Sequence, residues 1–316
     1  MELSTLVGKR LALIFPGQGS QYVGMGRRIH ELSDTARRMF SQADEILRFP
    51  LSQLCFKGPA DELADTVNAQ PAILTVSLAY LEALRERLRE LGQSIQPSVV
   101  AGHSLGEFTA LVAAGVLRFE DALSVVRERG RLMKESGRER PGGMAAVIGL
   151  ERADVEQICR EASQLGLVVV ANDNCPGQLV ISGEEAGLRR AMELARDRGA
   201  RRVVRLGVTI ASHSPLMERV AHALSEVLSR MPLREPEIPI VANITGKILS
   251  TVEEIRHELA QQVVSPVQWT EAVREMTNRG VTAFLEVGPG QVLTGLVRKI
   301  RQDIDAYSMR DFGFEP

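Results

Sequence analysis

A serine flanked by two glycines is the residue of this sequence best suited to act as a nucleophile. Ser104 stands at the centre of Gly102-His103-Ser104-Leu105-Gly106, directly after an apolar run that predicts a strand over 98–102. A strand that turns sharply into a helix presents the serine at a helix N-terminus, where free N–H groups favour negative charge. The motif therefore predicts a nucleophile elbow that carries an acyl ester, with an ordinary turn capped by Ser104 as the alternative.

A serine nucleophile needs a base. The sequence holds five histidines: His30, His103, His213, His222 and His257. His213 lies in VTIASHSPLM, where an apolar strand ends in small residues, and a base belongs at such a strand end facing a pocket. His103 adjoins the serine and is expected to line the pocket, whereas the other three fall in helical stretches. Position alone does not decide whether His213 is the base or a structural histidine of the loop.

Strands and helices alternate around the serine. Apolar runs predict buried strands at 11–16 and 98–102, and helical periodicity predicts helices at 72–88, 105–117 and 120–135. This alternation predicts an α/β fold with a mostly parallel sheet covered by helices.

The middle of the chain has a different order of elements. Between 138 and 205 the pattern is strand, helix, strand, strand, helix, strand, which is the ferredoxin-like order. We therefore predict a ferredoxin-like subdomain at 138–205, inserted into a catalytic core formed by 1–137 and 206–316. The α/β pattern resumes after the insert, and the last dozen residues show no strong pattern.

Composition excludes several classes of protein. The 316 residues are 44% hydrophobic and 25% charged, and the formal net charge of −2 does not suggest a nucleic-acid partner. Neither a signal sequence nor an apolar stretch of membrane-spanning length is expected. Three cysteines without a C-x-x-C pair predict no disulfide framework and no zinc site, which favours a reducing cytoplasm.

Four motifs occur in a fixed order along the chain: FPGQGSQ (15–21), GHSLGE (102–107), ASH (211–213) and EVGPG (286–290). Together they resemble the motifs of malonyl-CoA:acyl-carrier-protein transacylases and of the related acyltransferase domains of fatty-acid and polyketide synthases. The resemblance covers residues 10–302. It implies an α/β-hydrolase-like core with a parallel sheet and an inserted ferredoxin-like subdomain, in agreement with the predicted order of elements.

The resemblance also implies roles for individual residues. Ser104 matches the acylated nucleophile and His213 the general base. Gln18 and Leu105 match the two residues whose backbone N–H groups form the oxyanion hole. Gln262 matches a residue whose backbone carbonyl orients the histidine, in place of the carboxylate of a Ser-His-Asp triad.

Arg129 decides which acyl group the resemblance implies. It matches the arginine that binds the free carboxylate of a malonyl group. Without the resemblance, an exposed arginine on an amphipathic helix would be the preferred interpretation. His103 and Asn174 match positions near the acyl group. A malonyl or substituted malonyl group is therefore expected, rather than acetyl or a long acyl chain.

The implied reaction is a ping-pong transfer from malonyl-CoA, through a serine ester, to the phosphopantetheine thiol of acyl carrier protein in fatty-acid biosynthesis. It requires no metal or redox cofactor, and we expect a monomer. A discrete malonyl or methylmalonyl acyltransferase serving a polyketide synthase is the alternative, and Ala211-Ser212 before the histidine does not decide between them. A thioesterase is disfavoured because about 100 residues follow His213, whereas typical α/β-hydrolases place it near the C-terminus.

Overall fold

The computed structural model describes residues 1–315. Eleven short strands form within them. They are β1 (Leu11–Phe15), β2 (Val99–Gly102), β3 (Gly142–Ile148), β4 (Val168–Cys175), β5 (Gln178–Glu184), β6 (Arg202–Arg205), β7 (Ile240–Val241), β8 (Ile248–Leu249), β9 (Val267–Gln268), β10 (Ala283–Glu286) and β11 (Asp305–Ser308). They make two sheets, one of six strands and one of five.

Thirteen α-helices cover these sheets in the same part of the chain. They are α1 (Arg27–Leu32), α2 (Asp34–Leu47), α3 (Leu51–Lys57), α4 (Ala60–Ala64), α5 (Thr66–Glu90), α6 (Gly106–Ala113), α7 (Phe119–Glu139), α8 (Arg152–Ala162), α9 (Glu185–Asp197), α10 (Glu218–Ser229), α11 (Val252–Gln261), α12 (Trp269–Asn278) and α13 (Val292–Ile300). Among the described residues, no helix is both long and apolar enough to cross a membrane.

The larger sheet has the order β11-β10-β1-β2-β7-β8 and is parallel except for its last pair. All five residues of β1 are buried, as expected for a central parallel strand covered on both faces. In register, Phe15 pairs with Gly102 and Ile14 with Glu286. Because parallel strands end at the same edge, the loops that follow β1, β2 and β10 meet there, and each carries one of the four sequence motifs.

The smaller sheet has the order β6-β3-β5-β4-β9. Its first four strands are antiparallel and, with α8 and α9, follow the predicted ferredoxin-like order. The two helices pack one face of this sheet through apolar side chains such as Ile158 and Leu188. The fifth strand, β9, comes from outside the predicted insert and pairs in parallel with β4. The limits of the subdomain at 138 and 205 stay predictions.

Several elements differ from the sequence prediction. The helix predicted at 105–117 ends at Ala113, and the helix predicted at 120–135 spans Phe119–Glu139. The helix predicted at 72–88 begins earlier, at Thr66, because the Asp65 side chain caps it by accepting from the Val67 N–H, and the helix continues through Pro71. The last dozen residues, which showed no pattern, supply the edge strand β11 beside β10. Four residues are too few for a periodicity to be recognised.

Candidate active site

Ser104 occupies the sharp turn between β2 and α6. Its φ is +50°, a left-handed conformation that is strained for a residue with a side chain. A Cβ atom on Gly102 would lie 1.9 Å from the carbonyl carbon of Gly106, and one on Gly106 would lie 2.0 Å from the carbonyl oxygen of Phe15. Both glycines are therefore required for the strand and the helix to approach each other, and the structure has the predicted nucleophile elbow.

His213 is hydrogen-bonded to the serine hydroxyl, with 2.8 Å between Ser104 Oγ and His213 Nε2. On the other side of the ring, Nδ1 donates to the backbone carbonyls of Gln262 at 2.9 Å and Ser265 at 3.1 Å. Because both of these partners are acceptors, Nδ1 carries the proton and Nε2 is free to accept one. Two carbonyl oxygens thus hold the imidazole where a triad would use a carboxylate.

The imidazole of His213 is neutral in this setting. Burial and, secondarily, the nearby Arg129 guanidinium lower its pKa from 6.5 to about 3. The φ of His213 is +57°, so both members of the dyad have left-handed backbone conformations. A neutral imidazole with a free Nε2 is the form that removes a proton from a serine hydroxyl.

Arg129 projects from α7 and its side chain is almost fully buried. Nη1 donates to Gln70 Oε1 at 2.8 Å, and Nη2 donates to Gln262 Oε1 at 2.9 Å and to Ser104 Oγ at 3.2 Å. No residue in the described range 1–315 accepts from its Nε. Burial lowers the pKa of Arg129 to about 10, which still leaves a cation at neutral pH. A buried guanidinium beside a nucleophile is a receptor for a carboxylate.

The two N–H groups predicted for the oxyanion hole are available. Gln18 is in the exposed loop after β1, where its side-chain Oε1 accepts from Thr66 Oγ1 at 2.9 Å. Leu105 is buried at the start of α6. Within the described chain, neither backbone N–H donates to another protein group, so both can donate to a bound substrate.

His103 and Asn174 are in contact, with 2.9 Å between His103 Nε2 and Asn174 Oδ1. They line a cavity of about 480 Å³ together with Gln18, Ser104, Arg129 and His213. Apolar side chains form much of the remaining wall: Met133, Met144, Ala146, Val180, Leu206, Val208, Ile210, Val292, Leu293 and Leu296. The eight predicted residues are therefore brought together, with Leu105 following the serine and Gln262 held against Arg129.

Two residues that the sequence prediction missed hold the elbow in place. Asn243 Oδ1 accepts from the Ser104 N–H at 2.8 Å, and its Nδ2 donates to the Gly102 carbonyl at 2.8 Å. Glu107 is completely buried and accepts from the Asn243 N–H at 3.1 Å. A polar residue two positions after the apolar run IPIV was a usable signal for Asn243, since strand ends carry site residues in parallel sheets.

The fold and this dyad define an acyltransferase. Residues 12–310 match the family described as acyl transferase domain, and the chain belongs to that family. It is 42% identical to the malonyl CoA-acyl carrier protein transacylase of Bacillus subtilis (strain 168) over 303 residues, which are 96% of this chain and 94% of that protein. The transacylase of the same name from Haemophilus influenzae is 41% identical, with 96% of each chain covered.

Solved structures agree with these relatives. The malonyl-CoA:acyl carrier protein transacylase of Xanthomonas oryzae pv. oryzae has a TM-score of 0.90 at 40% identity, covering 95% of this chain and 94% of that one. A malonyl-transacylase in complex with a type II polyketide synthase acyl-carrier protein also has a TM-score of 0.90, at 39% identity and with 95% of each chain covered. The comparisons confirm the predicted family and the predicted α/β fold class.

Proposed function

We propose that this protein transfers the malonyl group of malonyl-CoA to the phosphopantetheine thiol of acyl carrier protein, in fatty-acid biosynthesis. The observation that carries the proposal is the 3.2 Å contact between Arg129 Nη2 and Ser104 Oγ inside the cavity. One group receives a carboxylate, and the other attacks a carbonyl. Malonyl thioesters have a carboxylate and a thioester carbonyl separated by a single carbon, which suits two receptors in contact.

In the first half-reaction, His213 Nε2 takes the proton of the Ser104 hydroxyl as Oγ attacks the thioester carbonyl carbon. The carbonyl oxygen becomes an oxyanion, for which the N–H groups of Gln18 and Leu105 are the proposed donors. The C–S bond then breaks, the proton on His213 passes to the departing CoA sulfur, and a malonyl-serine ester remains.

The second half-reaction runs the same steps with the carrier thiol. His213 takes the thiol proton, the sulfur attacks the ester carbonyl, and the C–O bond to Ser104 breaks as the proton returns to Oγ. The protein groups handle every proton and charge in both halves, so we propose that no cofactor is needed beyond the CoA thioester substrate. The apolar wall of the cavity disfavours water, which is the acceptor that a thioesterase would use.

The solved transacylase that is bound to a type II polyketide synthase carrier favours one alternative, in which this chain serves a polyketide synthase. Ala211 is buried and Ser212 lines the cavity, and neither residue indicates whether malonyl-CoA or methylmalonyl-CoA is preferred.

We propose a monomer in the cytoplasm. Its three cysteines, all buried free thiols, are consistent with that location.

The proposal is tested by intact-mass measurement after mixing the protein with malonyl-CoA, methylmalonyl-CoA and acetyl-CoA separately. We expect a malonyl adduct on the native protein, no adduct on Ser104→Ala, and discharge of the adduct to holo acyl carrier protein faster than to water. An acetyl adduct formed as fast as the malonyl adduct would contradict the role of Arg129. Discharge mainly to water would indicate a thioesterase.

A further inference from the structure

We propose that Glu107 is a positioning residue of this transferase, and that it acts through the side-chain amide of Gln262 to aim Arg129. The inference rests on the proposed function, because Arg129 is taken as the receptor of the malonyl carboxylate. The family resemblance assigns a role only to the backbone carbonyl of Gln262, and it assigns none to Glu107.

The Gln262 side chain makes three hydrogen bonds with three different groups. Its Oε1 accepts from Arg129 Nη2 at 2.9 Å, whereas its Nε2 donates to Glu107 Oε2 at 2.5 Å and to the Ser104 backbone carbonyl at 3.0 Å. An amide has nearly the same shape after its oxygen and nitrogen exchange places, so only its partners decide which end faces Arg129. A flipped amide would point an N–H donor at the guanidinium, which also has only donors.

Glu107 is the partner that makes the flip unfavourable. It is completely buried in the first turn of α6, and its two oxygens accept from different N–H groups, one on Gln262 and one on Asn243. A flipped Gln262 would place its oxygen against Glu107 Oε2 and leave a buried acceptor pair without a donor. Glu107 therefore determines that the oxygen of the Gln262 amide, and not its nitrogen, faces Arg129.

The charge of a carboxylate explains why Glu107 contacts Arg129 through the Gln262 amide and not directly. Within the described chain, Glu107 makes no direct ion pair with Arg129. Burial and the facing carboxyl of Glu258, on α11, raise the pKa of Glu107 well above its usual value. An ionised carboxylate touching Arg129 would compete with the substrate carboxylate, whereas the neutral amide of Gln262 orients the guanidinium and leaves its charge for the ligand.

The experiment compares Ser104 acylation by malonyl-CoA and acetyl-CoA in single-turnover intact-mass measurements. Glu107→Met keeps the approximate shape and removes the acceptor, so the ratio of kcat/KM for malonyl-CoA to kcat/KM for acetyl-CoA is expected to fall about 10- to 100-fold. The lost contact with Asn243 slows both substrates alike, so it cancels in this ratio. Gln262→Met keeps the backbone carbonyl that holds His213 and is expected to give the same loss of selectivity. Glu107→Gln restores one carbonyl acceptor, for the Gln262 amide, but turns its own NH2 group toward the Asn243 N–H, so it is expected to recover part of the selectivity.

The matched control is Glu184→Met. Glu184 is partly buried and accepts from the Leu167 N–H at 2.8 Å, and neither residue lines the cavity. It is expected to lower the melting temperature without changing the malonyl-to-acetyl ratio. The proposal is overturned if Glu107→Met slows both substrates equally, or if folded Gln262→Met keeps the native ratio. A native protein that forms no malonyl ester would instead overturn the proposed function.

Discussion

Arg129 donates a hydrogen bond to the oxygen of Ser104 that His213 deprotonates, at a distance of 3.2 Å. The receptor for the distal carboxylate and the attacking atom are therefore one contact apart. A ligand carboxylate that takes over this donor brings its own carbonyl carbon, two bonds away, close to Oγ. The same contact thus selects malonyl groups and aligns their thioester carbonyl carbon with Oγ, so its loss should impair both for malonyl-CoA.

The pH dependence of acylation tests the setting of His213. Its pKa of about 3 in the free protein predicts that kcat/KM stays flat as pH falls from 8 through 6.5 to 5, because the base remains neutral. A bound malonyl carboxylate would offset the Arg129 cation and raise the pKa of His213, so the acid limb of kcat should lie at higher pH than that of kcat/KM. Half-maximal kcat/KM near pH 6.5 would show an unperturbed histidine.

The same lowered pKa has a consequence for folding. Between pH 6.5 and about 3 the unfolded chain binds a proton on this histidine that the folded protein does not, so its contribution to the free energy of unfolding decreases as pH falls through this range. His213→Gln should show a shallower decline in chemical denaturation measured over that range. An identical slope for the two proteins would contradict the assignment.

Removing the carboxylate receptor should change substrate choice rather than abolish chemistry. Arg129→Met is expected to lower kcat/KM for malonyl-CoA by roughly 150- to 5000-fold, because losing one partner of a buried ion pair costs about 3–5 kcal/mol. Acetyl-CoA should react within about threefold of its native rate, because acetyl has no carboxylate to bind. Arg131→Ala, an exposed arginine on the same helix paired with Glu128 and Glu135, serves as the control and should leave both rates unchanged.

Asn243 should matter to both stability and rate. Asn243→Ala leaves the partly buried Ser104 N–H without its acceptor, which is expected to reduce the free energy of unfolding by about 1–3 kcal/mol in urea denaturation. Acylation should also slow, because the elbow loses the group that fixes its backbone. Asn278→Ala, on an exposed helix end, should change stability by less than about 0.5 kcal/mol. Equal effects of the two substitutions would refute this account.

The glycines of the elbow allow a direct steric test. Gly102→Ala places a Cβ 1.9 Å from Gly106, and no flexible side chain is available to move aside, so a loss on the order of 4 kcal/mol or more is expected. Gly295→Ala has no atom within 4 Å of the added Cβ and lies inside α13, where alanine should stabilise by about 1 kcal/mol. Melting temperatures that move in the same direction for both variants would contradict the packing described here.

The part of the site that follows strand ends could be predicted from sequence. Gln18, Ser104 and the EVGPG loop each come after an apolar run, and parallel strands bring such ends together. The partners of these residues could not be predicted. Asn243 is 139 residues from the serine that it holds, and no local pattern encodes a distance across the fold. Glu107 was within a recognised motif, yet its role depends on which side chains surround it.

Helix α5 shows the same limit within the fold. Its periodic segment was identified, but its first turn was not, because Pro71 normally marks a helix boundary. That unpredicted stretch contains Gln70, which accepts from Arg129. Hydrophobic periodicity cannot identify a residue that belongs to the site only through its side-chain contacts.

The pairing of β4 with β9 joins the predicted insert to the rest of the chain. Two residue pairs join these strands, and Thr270 Oγ1 donates to Asp173 Oδ1 at 2.5 Å beside them. Asn174 lies within β4, near its end, and the segment that holds His213 precedes β9. Because β9 lies outside the predicted insert, this pairing ties the strand that carries Asn174 to the segment that holds His213. Backbone pairing as well as chain connectivity thus links residues on opposite sides of the cavity.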